Sequence, residues 1–261
     1  MPVKFCPIAS GSSGNCLYAG TDQTHLLIDA GLSGRAAEKF LSHIQVSRID
    51  GILLTHEHSD HIAGVGVLAR RYQIPVYATP KTWRYLLRHG TLGKLPEDTA
   101  RIVEPGVPFM VGDMEISAFD IPHDASQPVG YRLRAEGYQI AAATDMGRVT
   151  ETVREGIKGS HILLLESNHD LEMLMNGRYP RQLKERVMGA RGHLSNVSAG
   201  GLLADTAWEG LRYAYLGHLS DENNRPLLAL DTVRRILEGR QIEIPNLTVA
   251  DRHGPGDLVV L

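Results

Sequence analysis

Cysteine is scarce in this chain: Cys6 and Cys16 are the only two among 261 residues. Two thiols cannot build the disulfide framework of a small secreted domain, and both read as small buried hydrophobes. Long apolar runs are missing too. Ile140–Ala143 and Ile162–Leu165 stop at four residues, far short of the ~18–20 that span a bilayer, so no membrane segment is expected. Neither sign of charge dominates, with Lys+Arg 27 against Asp+Glu 30 and a net charge of −3 when histidine is neutral. That balance excludes a protein that coats nucleic acid or anionic membrane by net charge alone, while leaving room for a local basic patch. The segment Met-Pro-Val-Lys-Phe-Cys passes into Gly- and Ser-rich sequence without the apolar core of a signal peptide, so the expected compartment is the cytoplasm. There is no repeat of fixed period, no low-complexity run and no Pro-rich linker. What is abundant is histidine, 12 residues against 2 cysteines, so any metal chemistry here is imidazole and carboxylate chemistry.

The chain opens as a β-meander. Val3–Ile8, Cys16–Ala19 and His25–Asp29 read as short strands separated by turn residues. Ser33–Ile44 has a Ser at the N-cap position and apolar residues at helical spacing, predicting an amphipathic helix. Strand Gly51–Leu54, helix Ile62–Tyr72, strand Val76–Ala78 and a helix from Lys81 to His89 then alternate. The same sequence of events recurs. Glu115–Phe119, Val129–Arg134 and Tyr138–Ala142 are strands, with Glu136-Gly137 as a hairpin turn. A helix over Thr150–Ile157, strand His161–Leu165, a helical and looped stretch Leu171–Thr206, strand Arg212–Leu216, helix Arg225–Glu238 and strands near Leu247–Ala250 and Leu258–Val260 follow. A meander and an α/β stretch occurring twice predict an α/β protein: two sheets face to face with helices outside, a four-layer αββα sandwich formed by residues 1–261 as a single domain.

The most informative segment is Thr55-His56-Glu57-His58-Ser59-Asp60-His61, between an apolar strand and a helix. In extended chain, residues i and i+2 point the same way, so His56 and His58 converge on one ion, while Asp60 and His61 turn toward a second position. Imidazoles with a carboxylate suit Zn, Mn or Fe rather than the oxygen cages of Ca or Mg. The His-Glu-x-x-His pattern of helical zinc proteases is excluded, because Asp60 stands where its second His would be. His123, Asp145 and His218 each follow an apolar strand, where a rigid framework can hold converging ligands.

His-x-His-x-Asp-His followed by a later His, Asp and His resembles the metallo-β-lactamase-fold hydrolases. More narrowly, Ser10-Gly11-Ser12-Ser13-Gly14-Asn15-Cys16, Glu166-Ser167-Asn168-His169-Asp170, Gly192-His193-Leu194-Ser195-Asn196 and Gly217-His218-Leu219-Ser220-Asp221-Glu222-Asn223-Asn224 resemble the YycJ (WalJ) type of bacterial nucleases. The resemblance implies two divalent ions per chain, Zn or Mn with Fe as a further option, and phosphodiester hydrolysis by a metal-bridged hydroxide on DNA from its 5′ end. Carried over by position, it puts His56, His58 and His123 on one ion, Asp60, His61 and His218 on the other, and Asp145 between them.

The expected catalytic residues are Asp60, which is also a ligand, and His193, either the acid that protonates the leaving oxygen or a prop behind the ligands. Arg178, Arg181, Lys184 and Arg191, with Ser195 and Asn196, are the expected substrate-binding residues; the basic stretch reads equally as a solvated helix face or as a phosphate-backbone groove. Ser10–Asn15 lacks a P-loop's Gly-Lys-Ser/Thr and reads as a tight loop near the site. Two bound dications would move the formal charge from −3 to about +1, which suits an anionic substrate. The resemblance makes DNA the expected partner, with a small cyclic phosphoribosyl or nucleotide phosphodiester as the alternative and a metal-stabilised DNA-end binding protein without turnover as a third reading. Oligomeric state has no sequence signal here.

Overall fold

The computed structural model describes residues 2–261. Two seven-stranded sheets form its middle. Sheet one runs β14 (Val259–Val260), β1 (Lys4–Ala9), β2 (Cys16–Gly20), β3 (His25–Ile28), β4 (Gly51–Leu53), β5 (Val76–Ala78) and β6 (Ala100–Ile102). Sheet two runs β13 (Asn246–Val249), β12 (Tyr213–Gly217), β11 (Ile162–Glu166), β10 (Tyr138–Ala143), β9 (Val129–Ala135), β8 (Met114–Asp120) and β7 (Phe109–Val111). Each sheet is half antiparallel and half parallel. The change falls after β3 in the first and at β10 in the second, as the twice-occurring meander and α/β stretch predicts.

Side-chain alternation sorts these strands between two interfaces. Leu26, Ile28, Ile140, Ala142, Ile162 and Leu164 face inward into one core between the sheets, while their neighbours Leu27, Ala141, Ala143, Leu163 and Leu165 face outward onto helices. Tyr131, fully buried in the inner layer, donates its hydroxyl to Leu54 O at 2.8 Å and ties one sheet to the other. Helices α1 (Gly34–His43), α2 (Ser59–Ile62), α3 (Val65–Tyr72) and α4 (Pro80–His89) lie over sheet one. Helices α5 (Glu151–Ile157), α8 (Asn196–Thr206) and α9 (Pro226–Gly239) lie over sheet two. The short α6 (Leu171–Asn176) and α7 (Arg181–Met188) occupy the connection from β11 to α8. This is the four-layer αββα sandwich.

Local chemistry accounts for the boundaries. Ser33 accepts from Ala36 N and caps α1. Glu136 and Gly137 both have positive φ, +51° and +81°, the turn that matches strand twist between β9 and β10. The helix expected over 62–72 is broken: α2 ends at Ile62 and α3 begins at Val65. Gly64 causes the break, since its N–H bonds Ala30 O and a Cβ there would sit 2.3 Å from Leu32 O. The interruption lets α2 swing its Asp60 and His61 toward the strand ends.

Candidate metal centre

The site lies where the parallel strands of both sheets end, the usual place for a ligand crevice in α/β sheets. Three of those ends carry the same backbone device. Asp29 after β3, Asp145 after β10 and His218 after β12 all have left-handed φ, +58°, +60° and +54°. Such a conformation in a residue other than glycine costs about 1–3 kcal/mol and persists where the surroundings over-determine it. It turns each side chain off its strand and into a common centre. His56, His58 and Asp60 come instead from the loop after β4 and the start of α2, and His123 from the loop after β8.

Nitrogen and oxygen atoms of His56, His58 and His123 approach within 4.8 Å of one another, and those of Asp60, His61 and His218 do the same. Asp145 sits between the two groups. Its oxygens lie 3.4 Å from His61 Nε2, 3.4 Å from His218 Nε2 and 3.8 Å from His123 Nε2. All seven residues that the sequence nominated as ligands thus meet in one place, as two triads about a shared carboxylate.

Behind the imidazoles stand carboxylates that the sequence reading left without a role. Asp29, 3% exposed, accepts from His61 Nδ1 at 2.7 Å and also from the backbone and hydroxyl of Thr55. Glu166, fully buried, contacts His218 Nδ1 at 3.0 Å and His193 Nδ1 at 2.8 Å while accepting from Met146 N and Leu194 N. Each fixes which ring nitrogen faces the centre, a standard arrangement around metal-binding histidine. Glu57 faces away from the centre and holds Ser126, accepting from its N–H at 2.7 Å and its hydroxyl at 2.6 Å, so the loop bearing His123 is anchored to the loop bearing His56. Asp29 and Glu166 end apolar strands just as Asp145 does. That position is legible in sequence, while the partners each carboxylate orients are not.

Electrostatics divide the two triads. Burial holds His56 well below the ordinary imidazole range, aided by His61, His123 and His58 close by, and burial likewise lowers His123. Burial also opposes charge on His61 and His218, yet there the carboxylates prevail. Asp29 and Asp145 lift His61 well above its ordinary value, and Asp145, Asp60 and Glu166 push His218 up to about 10. The partner carboxylates move the other way: despite burial, Asp60 and Asp145 are held below the ordinary carboxylate range by His218 and His61, and Glu166 by His193 and His218.

Whether the residues fit a metal can be judged from their unsatisfied atoms. His56 Nε2, His218 Nε2 and Asp145 Oδ2 are buried without any hydrogen-bond partner. Each such orphan costs about 1–3 kcal/mol, and three of them at one centre is a pattern that a cation removes. The donor set, five imidazoles and two carboxylates, belongs to divalent transition metals. The fit is good.

Residues 24–218 match the model of the beta-lactamase superfamily domain. The chain belongs to this superfamily. Among its relatives are the exodeoxyribonuclease YycJ of Bacillus anthracis, 43% identical over 240 residues (91% of this chain and 90% of that protein), and the exodeoxyribonuclease WalJ of Streptococcus pneumoniae serotype 2 (strain D39 / NCTC 7466), 41% identical over 228 residues (87% and 85%). The metallo-beta-lactamase fold protein YhfI from Bacillus subtilis superposes with a TM-score of 0.72 over 100% of this chain and 99% of that one; at 17% identity the likeness is one of fold. This superfamily member is a metal-dependent hydrolase. No helix among the described residues is long and apolar enough to cross a membrane.

The remaining nominated residues divide. His193 stands at the edge of the centre, its ring 5.2 Å from those of His123 and His218, and it lines a cavity of about 150 Å³ with Tyr179, Leu183, Arg186 and Asp124. Arg178 and Arg191 are exposed. Arg181 pairs with Glu185 at 2.7 Å, and Lys184 donates to Met175 O. The arginine of this stretch that reaches the cavity is Arg186, whose Nε lies 2.7 Å from Asp124 Oδ2, beside His123. Ser195 and Asn196, expected to face a substrate, are buried and bonded within the framework. Ser195 caps α8 by accepting from Ser198 N, and Asn196, 1% exposed, bonds Ser167 and Asn224 in a network joining the loops after β11 and β12. Buried Asn15 of the Ser10–Asn15 loop contacts Asp60 Oδ2 at 3.4 Å and His61 Nε2 at 3.2 Å, so the loop props the centre. Cys6 and Cys16 are buried and unpaired.

Proposed function

We propose that this chain is a two-metal DNA exonuclease, hydrolysing phosphodiester bonds from the 5′ end, with residues 1–261 acting as a single metallo-β-lactamase-like domain. The observation that carries the reading is the pair of ligand triads sharing Asp145; support comes also from relatives named exodeoxyribonucleases at 41–43% identity over most of their length. His56, His58 and His123 would hold one ion and Asp60, His61 and His218 the other, with Asp145 available to both. Two Zn or Mn ions, or Fe, bound there would supply Lewis acidity and an activated water. Two unpaired cysteines suit a reducing compartment, the cytoplasm.

His193 supplies what the ions do not. Glu166 takes the Nδ1 hydrogen bond at 2.8 Å, which leaves Nε2 to face the cleft. As the new O–P bond forms and the old P–O bond breaks, the Nε2 proton passes to the departing sugar oxygen. Arg186, steered by Asp124, offers its guanidinium edge to a neighbouring phosphate in the cavity beside His193.

The test is turnover of 5′- and 3′-labelled duplex DNA beside bis-p-nitrophenyl phosphate. The expected result is early release of the 5′ label as mononucleotide. Turnover of the small ester alone would refute the nuclease reading in favour of a small phosphodiester substrate. DNA binding without turnover of either compound would favour an end-binding protein.

A further inference from the structure

The chain has a second basic surface, and it differs from the 178–191 stretch in holding no acidic residue within its span. From His61 to Pro96 there is no Asp or Glu, while Arg70, Arg71, Lys81, Arg84, Arg88 and Lys94 fall in that span. Arg70 and Arg71 are engaged, with Leu92 O and Glu38 respectively. Lys81, Arg84 and Arg88 are exposed and form no ion pair or side-chain hydrogen bond among the described residues. They recur along α4 at i, i+3 and i+7, one stripe of the helix. The opposite face buries Thr82, Trp83 and Leu86, and Trp83 Nε1 donates to Arg101 O at 3.0 Å, so the stripe is held outward.

This stripe adjoins the metal centre. Lys81, Arg84, Tyr85, Arg88, His89 and Ser126 bound a concavity of about 310 Å³. Ser126 belongs to the loop that carries His123, and Glu57, between His56 and His58, holds it in place. Thr79, at the N-cap of α4, donates its hydroxyl to Gln127 O at 2.9 Å. Tyr85 stands 38% exposed with its ring 4.3 Å from that of His89, an aromatic surface among cations of the kind that takes stacked bases.

We infer that α4 holds the strand of the nucleic-acid substrate that continues past the metal centre, with Lys81, Arg84 and Arg88 on successive phosphates and Tyr85 against a base. The inference rests on the nuclease reading above. Its dimensions are coherent: seven residues of helix span about 10 Å, about three nucleotide steps at the roughly 3.4 Å axial rise of a duplex strand. Ser126, three residues beyond His123, lies within about 11 Å of it along the chain, which keeps the near end of this concavity within a few nucleotides of the bond cut.

The experiment compares the full-length metal-loaded protein with its Lys81→Ala/Arg84→Ala/Arg88→Ala variant on a 30-nucleotide DNA, on bis-p-nitrophenyl phosphate and in DNA-binding anisotropy across salt concentrations. The expected result is a loss of about 10- to 100-fold in kcat/KM on DNA, mostly through KM, and a salt dependence of log affinity shallower by about 2 to 3. The small ester reports on the metal centre, and an Arg84→Lys/Arg88→Lys variant, which keeps the charge, retains most DNA turnover. DNA turnover and salt slope unchanged in the triple variant would overturn the inference while leaving the nuclease reading intact. DNA bound through α4 but cut by neither protein would sink the nuclease reading and with it the substrate role of α4. Loss of binding to phosphatidylserine vesicles with DNA binding unaffected would overturn the inference, since the stripe would then serve a membrane.

Discussion

Raising the pH should strengthen binding of the second metal ion far more than binding of the first. His56 and His123 are held below the ordinary imidazole range by burial, so an ion entering their triad displaces few protons. The other triad starts charged. Against the cost of burial, Asp29 and Asp145 keep His61 protonated, and Asp145, Asp60 and Glu166 push His218 up to about 10 from an ordinary 6.5. At pH 7 an ion must therefore expel a proton held roughly three pH units below its pKa, about 4 kcal/mol at His218 alone. The sign follows from the raised value. Stability that these protons give the metal-free protein is complete below about pH 6.5 and is lost as pH rises through about 10, while metal affinity gains by about tenfold per pH unit for each proton displaced. Calorimetric titration of the metal-free protein with zinc, in two buffers of different ionisation enthalpy between pH 6.5 and 8.5, counts the protons released by each ion. The expected count is near zero for the first ion and about two for the second. Equal release by both ions, or a second affinity that stays flat with pH, would refute this reasoning.

Other expectations concern single residues. Asp60→Ala should abolish DNA turnover and lower bound metal from two ions to one per chain by elemental analysis, with circular dichroism unchanged. His193→Ala should cut kcat by about 10²- to 10⁴-fold, the ordinary range for a lost general acid, and leave metal content at two. Glu166→Gln removes the charge that orients both His193 and His218, and a loss of about 10- to 100-fold in metal affinity or activity is expected, measured by chelator competition and initial rates. Ser195→Ala should lower stability by about 1 kcal/mol through loss of the α8 cap and leave KM for DNA unchanged, as denaturant titration and kinetics will report. Burial pushes the Cys6 thiol up to about 12 and raises Cys16 as well, so iodoacetamide at pH 8 should modify neither until the protein is unfolded, by mass spectrometry.

Much of this architecture was legible from periodicity because each strand is short, apolar and closed by a turn residue. The convergence of the candidate ligands was legible for a related reason: His56, His58, Asp60 and His61 are close in sequence, and Asp145 and His218 stand at the ends of apolar strands. Asp29 and Glu166 hold equivalent positions but bond only groups distant in sequence, His61 across 32 residues and His218 across 52, so nothing local marks them as orienting groups. The break between α2 and α3 was hidden because it arises from a backbone approach between Gly64 and Leu32. The basic stretch at 178–191 reads equally as a solvated helix face or a phosphate groove because local charge is countable in sequence, whereas the pairing of Arg181 with Glu185 and of Arg186 with Asp124 is not. The stripe of α4 is hidden for the converse reason: its cations are spaced three and four apart and only a helix lines them up.

Each ligand triad draws on both halves of the sandwich. His56 and His58 follow β4 of sheet one while His123 follows β8 of sheet two, and Asp60 and His61 are likewise matched with His218 from the end of β12. Metal bound this way is a clasp across the two sheets, so the free energy of loading is also free energy of docking one half against the other. Metal supply would then govern how long the protein survives as well as how fast it works. Chelation should speed unfolding and proteolysis, and a cell short of the ion would lose the protein itself along with its activity.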